Sequence, residues 1–204
     1  MSMTDAHIYT LQPNVPSPFE YSTHKAHHSC CIWFSGLLGA GKKTLVRALE
    51  KRIYQVGRRS YIFGGEDFRY RQTSDFEATK KEHPKHVSRL SEAAQVVIET
   101  GSIVLVTLFS PFITCRQIAS KPFKKEQFIE VYVHTPMEIC ALRVPKGLYG
   151  KDAKYHRQEL LKYAGIDDRY ELPEQAEIRV DMSLMSLEDC ADKVFYHLPE
   201  FRLR

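Results

Sequence analysis

The chain has 204 residues, which suits one domain of ordinary size with a short tail. Its content of 43% hydrophobic and 26% charged residues is typical of a globular protein and excludes disordered and fibrous classes. The net charge of +4 suits a small anionic ligand but is too small and too scattered to predict nucleic-acid binding. The longest apolar run, Ile103–Phe109, is too short to cross a bilayer, so no membrane association is expected.

Cysteine usage and the first residues indicate the cellular compartment. The five cysteines are an odd number, and three of them lie within apolar patterns. This favours reduced core thiols over a disulfide framework or a CxxC metal site. The first residues include Asp5 and His7 and contain no apolar segment of the secretory type. Both observations predict a cytoplasmic protein.

Residues 1–29 are predicted to form a polar N-terminal arm, followed by one domain over residues 30–204. Prolines and serines cluster in Pro13–Ser17, and His24, His27 and His28 form a small patch. Such a patch could hold a metal, but neutral surface histidines are the more ordinary interpretation. We therefore predict no metal site within the protein.

Apolar runs predict five strands, in chain order Cys30–Ser35, Ser60–Phe63, Ile103–Phe109, Phe128–Val133 and Glu177–Val180. Segments with helical spacing alternate with these runs. This alternation predicts an α/β fold of three layers, with a parallel five-stranded sheet covered by helices on both faces. Ligands of such sheets bind at the carboxyl ends of the strands.

Local signals predict where the helices begin and end. Gly57 is placed to end the first helix, and Gly101 the second. Ser110-Pro111 is typical of an N-cap followed by a first helical residue. Thr135, with Glu138 three residues later, predicts a capping box before a short helix. Ser186, followed by Asp189, predicts the start of the last helix.

The segment from Gly36 to Lys42 reads Gly-Leu-Leu-Gly-Ala-Gly-Lys and lies between the first strand and the first helix. This is the GxxxxGK core of a phosphate-binding loop. Gly36, Gly39, Ala40 and Gly41 let backbone amides converge on phosphate oxygens, and Lys42 reaches the terminal phosphates. The motif predicts an ATP site.

The loop departs from the motif at its last position. Lys43 stands where a serine or threonine hydroxyl should bind Mg²⁺, and Thr44 points about 100° further around the helix. Lys43 is either a surface lysine or an ammonium near the phosphates that partly replaces the metal. Either interpretation predicts that Mg²⁺ binds weakly or indirectly.

Further segments resemble adenylylsulfate kinases, namely Ile32–Leu37, Gly65–Arg69, Ser110–Phe112, Thr135-Pro136, Pro145–Tyr149 and Gly165–Asp167. These enzymes transfer the γ-phosphate of ATP to the 3′-hydroxyl of adenosine 5′-phosphosulfate (APS). The resemblance extends roughly from Cys30 to Leu198. It implies a P-loop kinase domain over residues 30–204, a lid near residues 146–167, and a homodimer.

The resemblance also implies roles for individual residues. Lys42 and Glu66 would be catalytic, and Arg143 would bind the nucleotide together with the loop and Thr44. The acceptor would contact Arg69, Phe109, Ser110, Lys146, Gly147, Leu148, Tyr163 and Gly165. Arg116 would lie on the same side of the acceptor site as Phe109 and Ser110.

Several departures affect this site. Glu66 replaces the catalytic aspartate of the family, Ala78 replaces a stacking phenylalanine, and His83 and His86 replace an arginine and an asparagine. The resemblance predicts a phosphotransferase that acts on APS or a related nucleotide. The alternatives are a nucleotide-binding pseudokinase with a regulatory or scaffolding role, and an unrelated P-loop hydrolase or switch.

Overall fold

A computed structural model describes residues 28–64, 83–108, 110, 112–143, 170–199 and 201. Most of the predicted arm and the whole of the predicted lid lie outside the described residues.

The five predicted strands are all present. They are β1 (Cys31–Ser35), β2 (Ser60–Gly64), β3 (Ile103–Thr107), β4 (Phe128–His134) and β5 (Ile178–Asp181). Every neighbouring pair is parallel, in the order β2-β3-β1-β4-β5. The prediction of a parallel five-stranded sheet is confirmed. Strand β3 is two residues shorter than predicted, because pairing with β1 and β2 ends at Thr107.

The helices within the described ranges are α1 (Lys42–Gln55), α2 (His83–Glu99), α3 (Ile113–Ser120), α4 (Met137–Arg143) and α5 (Leu187–Phe195), with a 3₁₀ turn at Lys125–Gln127. Alternate residues of β1 face opposite sides of the sheet. Ile32 and Phe34 join one buried cluster with α1 and α5, whereas Cys31 and Trp33 join another with α2 and α3. The predicted three layers are therefore confirmed.

Some predicted helix signals are confirmed, and others take part in different contacts. Gly57 and Gly101 have positive φ angles of 73° and 81° after their helices. The Ser186 hydroxyl accepts a hydrogen bond from the amide of Asp189. The prediction that Ser110 caps α3 is wrong, because this helix begins at Ile113 with Phe112 at the N-cap position. Trp33 Nε1 instead donates to Ser110 Oγ at 3.1 Å.

Thr135 precedes α4 as predicted, but its hydroxyl bonds to the carbonyl oxygens of Ala40 at 3.0 Å and His134 at 2.7 Å. The side chain therefore ties the phosphate loop to the end of β4. All five cysteines are buried, and none of them forms a disulfide, as the cysteine count predicted.

Candidate functional site

The loop Gly36–Gly41 joins the carboxyl end of β1 to the first residue of α1. Gly36 has φ 146°, and a Cβ there would lie 2.4 Å from the carbonyl oxygen of Val133. Gly41 is the N-cap of α1 with φ 99°. Both positions therefore require glycine, because a side chain would clash or force an unfavourable backbone conformation.

Lys42 turns back over this loop. Its Nζ donates to the carbonyl oxygens of Gly36 and Leu37, each at 2.8 Å. No acidic side chain lies in the first turn of α1. The ammonium and the positive end of the helix dipole therefore lie at the same loop, which is the arrangement that binds phosphate groups.

Three further predicted nucleotide-binding residues lie near this loop. Lys43 and Thr44 are exposed in the first turn of α1. Arg143 ends α4, and its Nη1 lies 3.9 Å from the position that a Cβ on Gly41 would occupy. The structure thus brings Arg143 to the loop across about a hundred residues of sequence. Its contact with a nucleotide stays a prediction.

A buried polar cluster beside β1 and β4 was missed by sequence reasoning. Ser35, the last residue before the loop, donates to Glu130 Oε1 at 3.0 Å. Arg116 Nε lies 3.1 Å from the same oxygen. Burial raises the pKa of Glu130, although Arg116 and then Ser35 act in the opposite direction. A glutamate within an apolar strand pattern, Phe-Ile-Glu-Val, was the available sequence signal.

Arg116 lies inside this cluster and not on an exposed acceptor wall. Its side chain is 4% exposed. Nη1 donates to the carbonyl oxygen of Ser110 and Nη2 to that of Glu171, both at 2.8 Å. The guanidinium also lies 5.8 Å from the centre of the Tyr170 ring. Arg116 therefore connects Ser110, which follows β3, with Tyr170 and Glu171.

The other predicted acceptor and catalytic residues stay predictions. Ser110 is fully buried. The remaining ones lie outside the described residues, namely Glu66, Arg69, Phe109, Lys146, Gly147, Leu148, Tyr163 and Gly165. His86 is only 2% exposed, so it does not lie on an open acceptor wall.

Neither a metal cluster nor a membrane span is found in the described ranges. No group of three or more histidine, cysteine, aspartate or glutamate side chains there could hold a metal ion. No helix there is long and apolar enough to cross a bilayer.

Comparison with known proteins identifies relatives of this fold and loop. A family model described as adenylylsulphate kinase matches residues 28–181. The adenylyl-sulfate kinase of Clostridium acetobutylicum is 37% identical over 172 residues, which are 84% of either chain. That of Marinobacter nauticus is 33% identical over 184 residues, covering 90% of this chain and 91% of the relative.

A solved structure agrees in fold. The Mycobacterium tuberculosis APS kinase CysC in complex with AMPPNP and APS superposes with a TM-score of 0.73 and 29% identity. The match covers 82% of this chain and 96% of that protein. With its phosphate loop, sheet order and extensive sequence identity, this chain belongs to the adenylylsulphate kinase family.

Proposed function

We propose that the protein is an ATP-dependent phosphotransferase that moves the γ-phosphate of ATP to the 3′-hydroxyl of adenosine 5′-phosphosulfate. The observation that carries this proposal is the loop from Gly36 to Gly41, with the Lys42 ammonium 2.8 Å from two of its carbonyl oxygens. The curated relatives quoted above are named adenylyl-sulfate kinases. The Mycobacterium tuberculosis neighbour is described as bound to AMPPNP and APS.

The described residues would act mainly by binding and by electrostatics. The backbone amides of the loop and the first turn of α1 would hold the β- and γ-phosphates of ATP. The Lys42 ammonium would neutralise the charge that develops on the transferred group. Arg143 would contact the nucleotide where α4 ends beside Gly41.

The loop does not fit direct Mg²⁺ coordination. Lys43 occupies the place of the metal-binding hydroxyl, and an ammonium cannot be a ligand of a cation. The first turn of α1 also contains no acidic side chain that could bind a hydrated ion. No step of the transfer is therefore assigned to the metal.

The pseudokinase alternative is the less favoured one. It is supported by the loss of the metal-binding hydroxyl and by Gly64, which stands where the family segment Asp-Gly-Asp has its first aspartate. The relatives at 33–37% identity, however, carry the name of an enzyme. An unrelated P-loop hydrolase or switch is disfavoured by membership of the family. The homodimer stays a prediction, which sedimentation of the full chain would test.

A coupled assay of ADP release with ATP and APS tests the proposed function. We expect ADP release that requires APS. Adenosine 5′-phosphate should not support this reaction in place of APS. Because Glu66 and Ala78 depart from the family pattern, the rate should fall about 100-fold or more below that of a relative with a complete site. Nucleotide binding by calorimetry without any APS-dependent ADP release would support the pseudokinase instead.

The Mg²⁺ requirement gives a second test at the same loop. Lys43→Ser restores the hydroxyl at the position that coordinates the metal, so the variant should depend more steeply on Mg²⁺ than the parent. ATP affinity would be measured by calorimetry with and without Mg²⁺. Lys43→Ala serves as the control, because it removes the cation without adding a ligand. A steep Mg²⁺ requirement in the parent that Lys43→Ser leaves unchanged would contradict the interpretation of Lys43.

A further inference from the structure

A groove lies at the amino-terminal ends of the strands, on the opposite side of the sheet from the strand ends that carry the phosphate loop. It is bordered by the exposed side of α1, the turn into β2, and the turn between α2 and β3, and its volume is ≈ 770 Å³. The phosphate loop follows the carboxyl end of β1, whereas this groove lies where β2 and β3 begin. A strand of five residues is about 16 Å long, and this length separates its amino-terminal end from its carboxyl end. The groove is therefore a separate place on the molecule.

Basic side chains enter this groove from two elements. Arg47 and Lys51 are four residues apart on α1 and therefore share one side of the helix. Arg59 enters from the residue before β2. All three are exposed, and within the described part of the chain none of them has a carboxylate partner. Glu50 is the single acid among the described residues that line the groove.

A fourth cation, Arg58, is placed there by the end of α1. Gly57 turns the chain with φ 73°, and its amide donates to the carbonyl oxygen of Tyr54 at 2.9 Å. The amide of Arg58 then donates to the carbonyl oxygen of Ile53 at 3.1 Å. Arg58 is only 7% exposed although it lines the groove. The described residues that line the groove therefore include four basic side chains and one acidic side chain, Glu50.

Two aromatic rings accompany these cations. Tyr54 is 78% exposed and Tyr61 is 49% exposed. The Tyr61 ring is supported by an edge contact with Phe63 at 4.9 Å between centroids. Exposed tyrosines next to arginine and lysine are the groups that stack planar bases and bind their phosphates. Thr100 and Ser102, whose hydroxyl oxygens lie 3.0 Å apart, add polar atoms to the lining of the groove.

We propose that this groove is a second ligand site, distinct from the phosphate loop, for a nucleotide-class anion that combines a planar ring with phosphate or sulfate groups. Its volume lies in the range of about 300–1,000 Å³ that is usual for small-molecule sites. The cations take the anionic groups, and Tyr54 and Tyr61 take the ring. A single nucleic-acid strand is disfavoured, because the net charge of the chain is only +4.

The test is a titration of the full ¹⁵N-labelled chain, in which the two sites report separately. The amides of Gly57, Arg59 and Ser102 report on the groove, and those of Gly39 and Gly41 report on the phosphate loop. The probes are ADP, inorganic pyrophosphate, adenosine and a short single-stranded oligonucleotide. We expect ADP to change the chemical shifts of the groove amides, with a dissociation constant that differs from the one measured at the phosphate loop. ADP should bind to the groove more tightly than pyrophosphate or adenosine does.

Variants then measure separately how much the basic side chains and the tyrosine ring contribute to binding at the groove. Arg47→Ala with Lys51→Ala should weaken ADP binding at the groove by about tenfold or more, and should leave the response of the phosphate loop unchanged. Lys121→Ala with Lys125→Ala removes the same charge elsewhere and should change groove binding less than about twofold. Tyr54→Ser should weaken ADP binding at the groove without changing that of pyrophosphate.

Three results would overturn the proposal. The groove amides could stay unshifted at millimolar ADP, which would mean that no such site exists. The two double variants could weaken binding equally, which would mean that only the net charge matters. The oligonucleotide could bind more tightly than ADP, which would replace the small-molecule ligand by a strand. None of these results depends on phosphoryl transfer, so the proposed function stands or falls separately.

Discussion

Replacing Lys42 with alanine should reduce ATP-dependent turnover by about 10²–10³-fold or more, which is the largest catalytic effect expected of a single described residue. Removing one preorganised donor from a site of developing charge costs about 2.7–4 kcal/mol in the transition state. Lys42 also bonds to the carbonyl oxygens of Gly36 and Leu37, so the variant loses part of the support of its loop. Steady-state ADP release would measure the loss of turnover, and calorimetry would measure the loss of ATP affinity.

The matched control for Lys42 is Lys121→Ala, which removes an exposed lysine at the end of α3. This control should keep both ATP binding and turnover. Thermal unfolding of both variants would show that the fold is intact. A Lys42→Ala protein that still binds ATP as the parent does would contradict the assignment of the phosphate site to this loop.

Replacing Arg116 with methionine should lower the free energy of unfolding by about 3–5 kcal/mol, the usual cost of leaving one buried charge without its partner. The side chain is 4% exposed, and Glu130 would lose a cation 3.1 Å away. The carbonyl oxygens of Ser110 and Glu171 would each lose a donor as well. Urea unfolding at neutral pH measures the effect.

The pH dependence of this loss follows from Glu130. Burial already raises the pKa of this carboxyl, and removing Arg116 removes the first of the influences that lower it. A carboxyl with a raised pKa in the folded state favours folding at low pH, and that contribution is lost as the pH rises through the folded-state pKa. The destabilisation by Arg116→Met should therefore shrink in acid, where Glu130 is protonated, and grow toward neutral pH.

Two further variants complete this test. Arg116→Met combined with Glu130→Gln should recover part of the lost stability, because no buried charge then remains unpaired. Arg89→Met removes an exposed arginine from α2 and should change the free energy of unfolding by less than about 0.5 kcal/mol. If Arg116→Met lowered the free energy of unfolding equally in acid and at neutral pH, the role given to Glu130 would be contradicted.

The amino-acid sequence by itself determined the three layers and the position of the glycine-rich loop between β1 and α1. The five strands are short apolar runs that appear where the pattern predicts them, because a strand covered on both faces needs apolar residues at almost every position. The phosphate loop is equally local, since Gly36, Gly41 and Lys42 act through backbone angles and a neighbouring helix end. Such features depend on residues that are close in the chain.

Only the tertiary structure decided how polar side chains are paired across the fold. Ser110 looks like a helix cap in the sequence but accepts from Trp33, which is 77 residues away. Thr135 looks like the start of a capping box but bonds to Ala40, 95 residues away. A hydroxyl or guanidinium can satisfy its hydrogen bonds with any suitable group within about 3 Å. Its partner is therefore set by which strands and helices pack together, and local sequence carries little information on that choice.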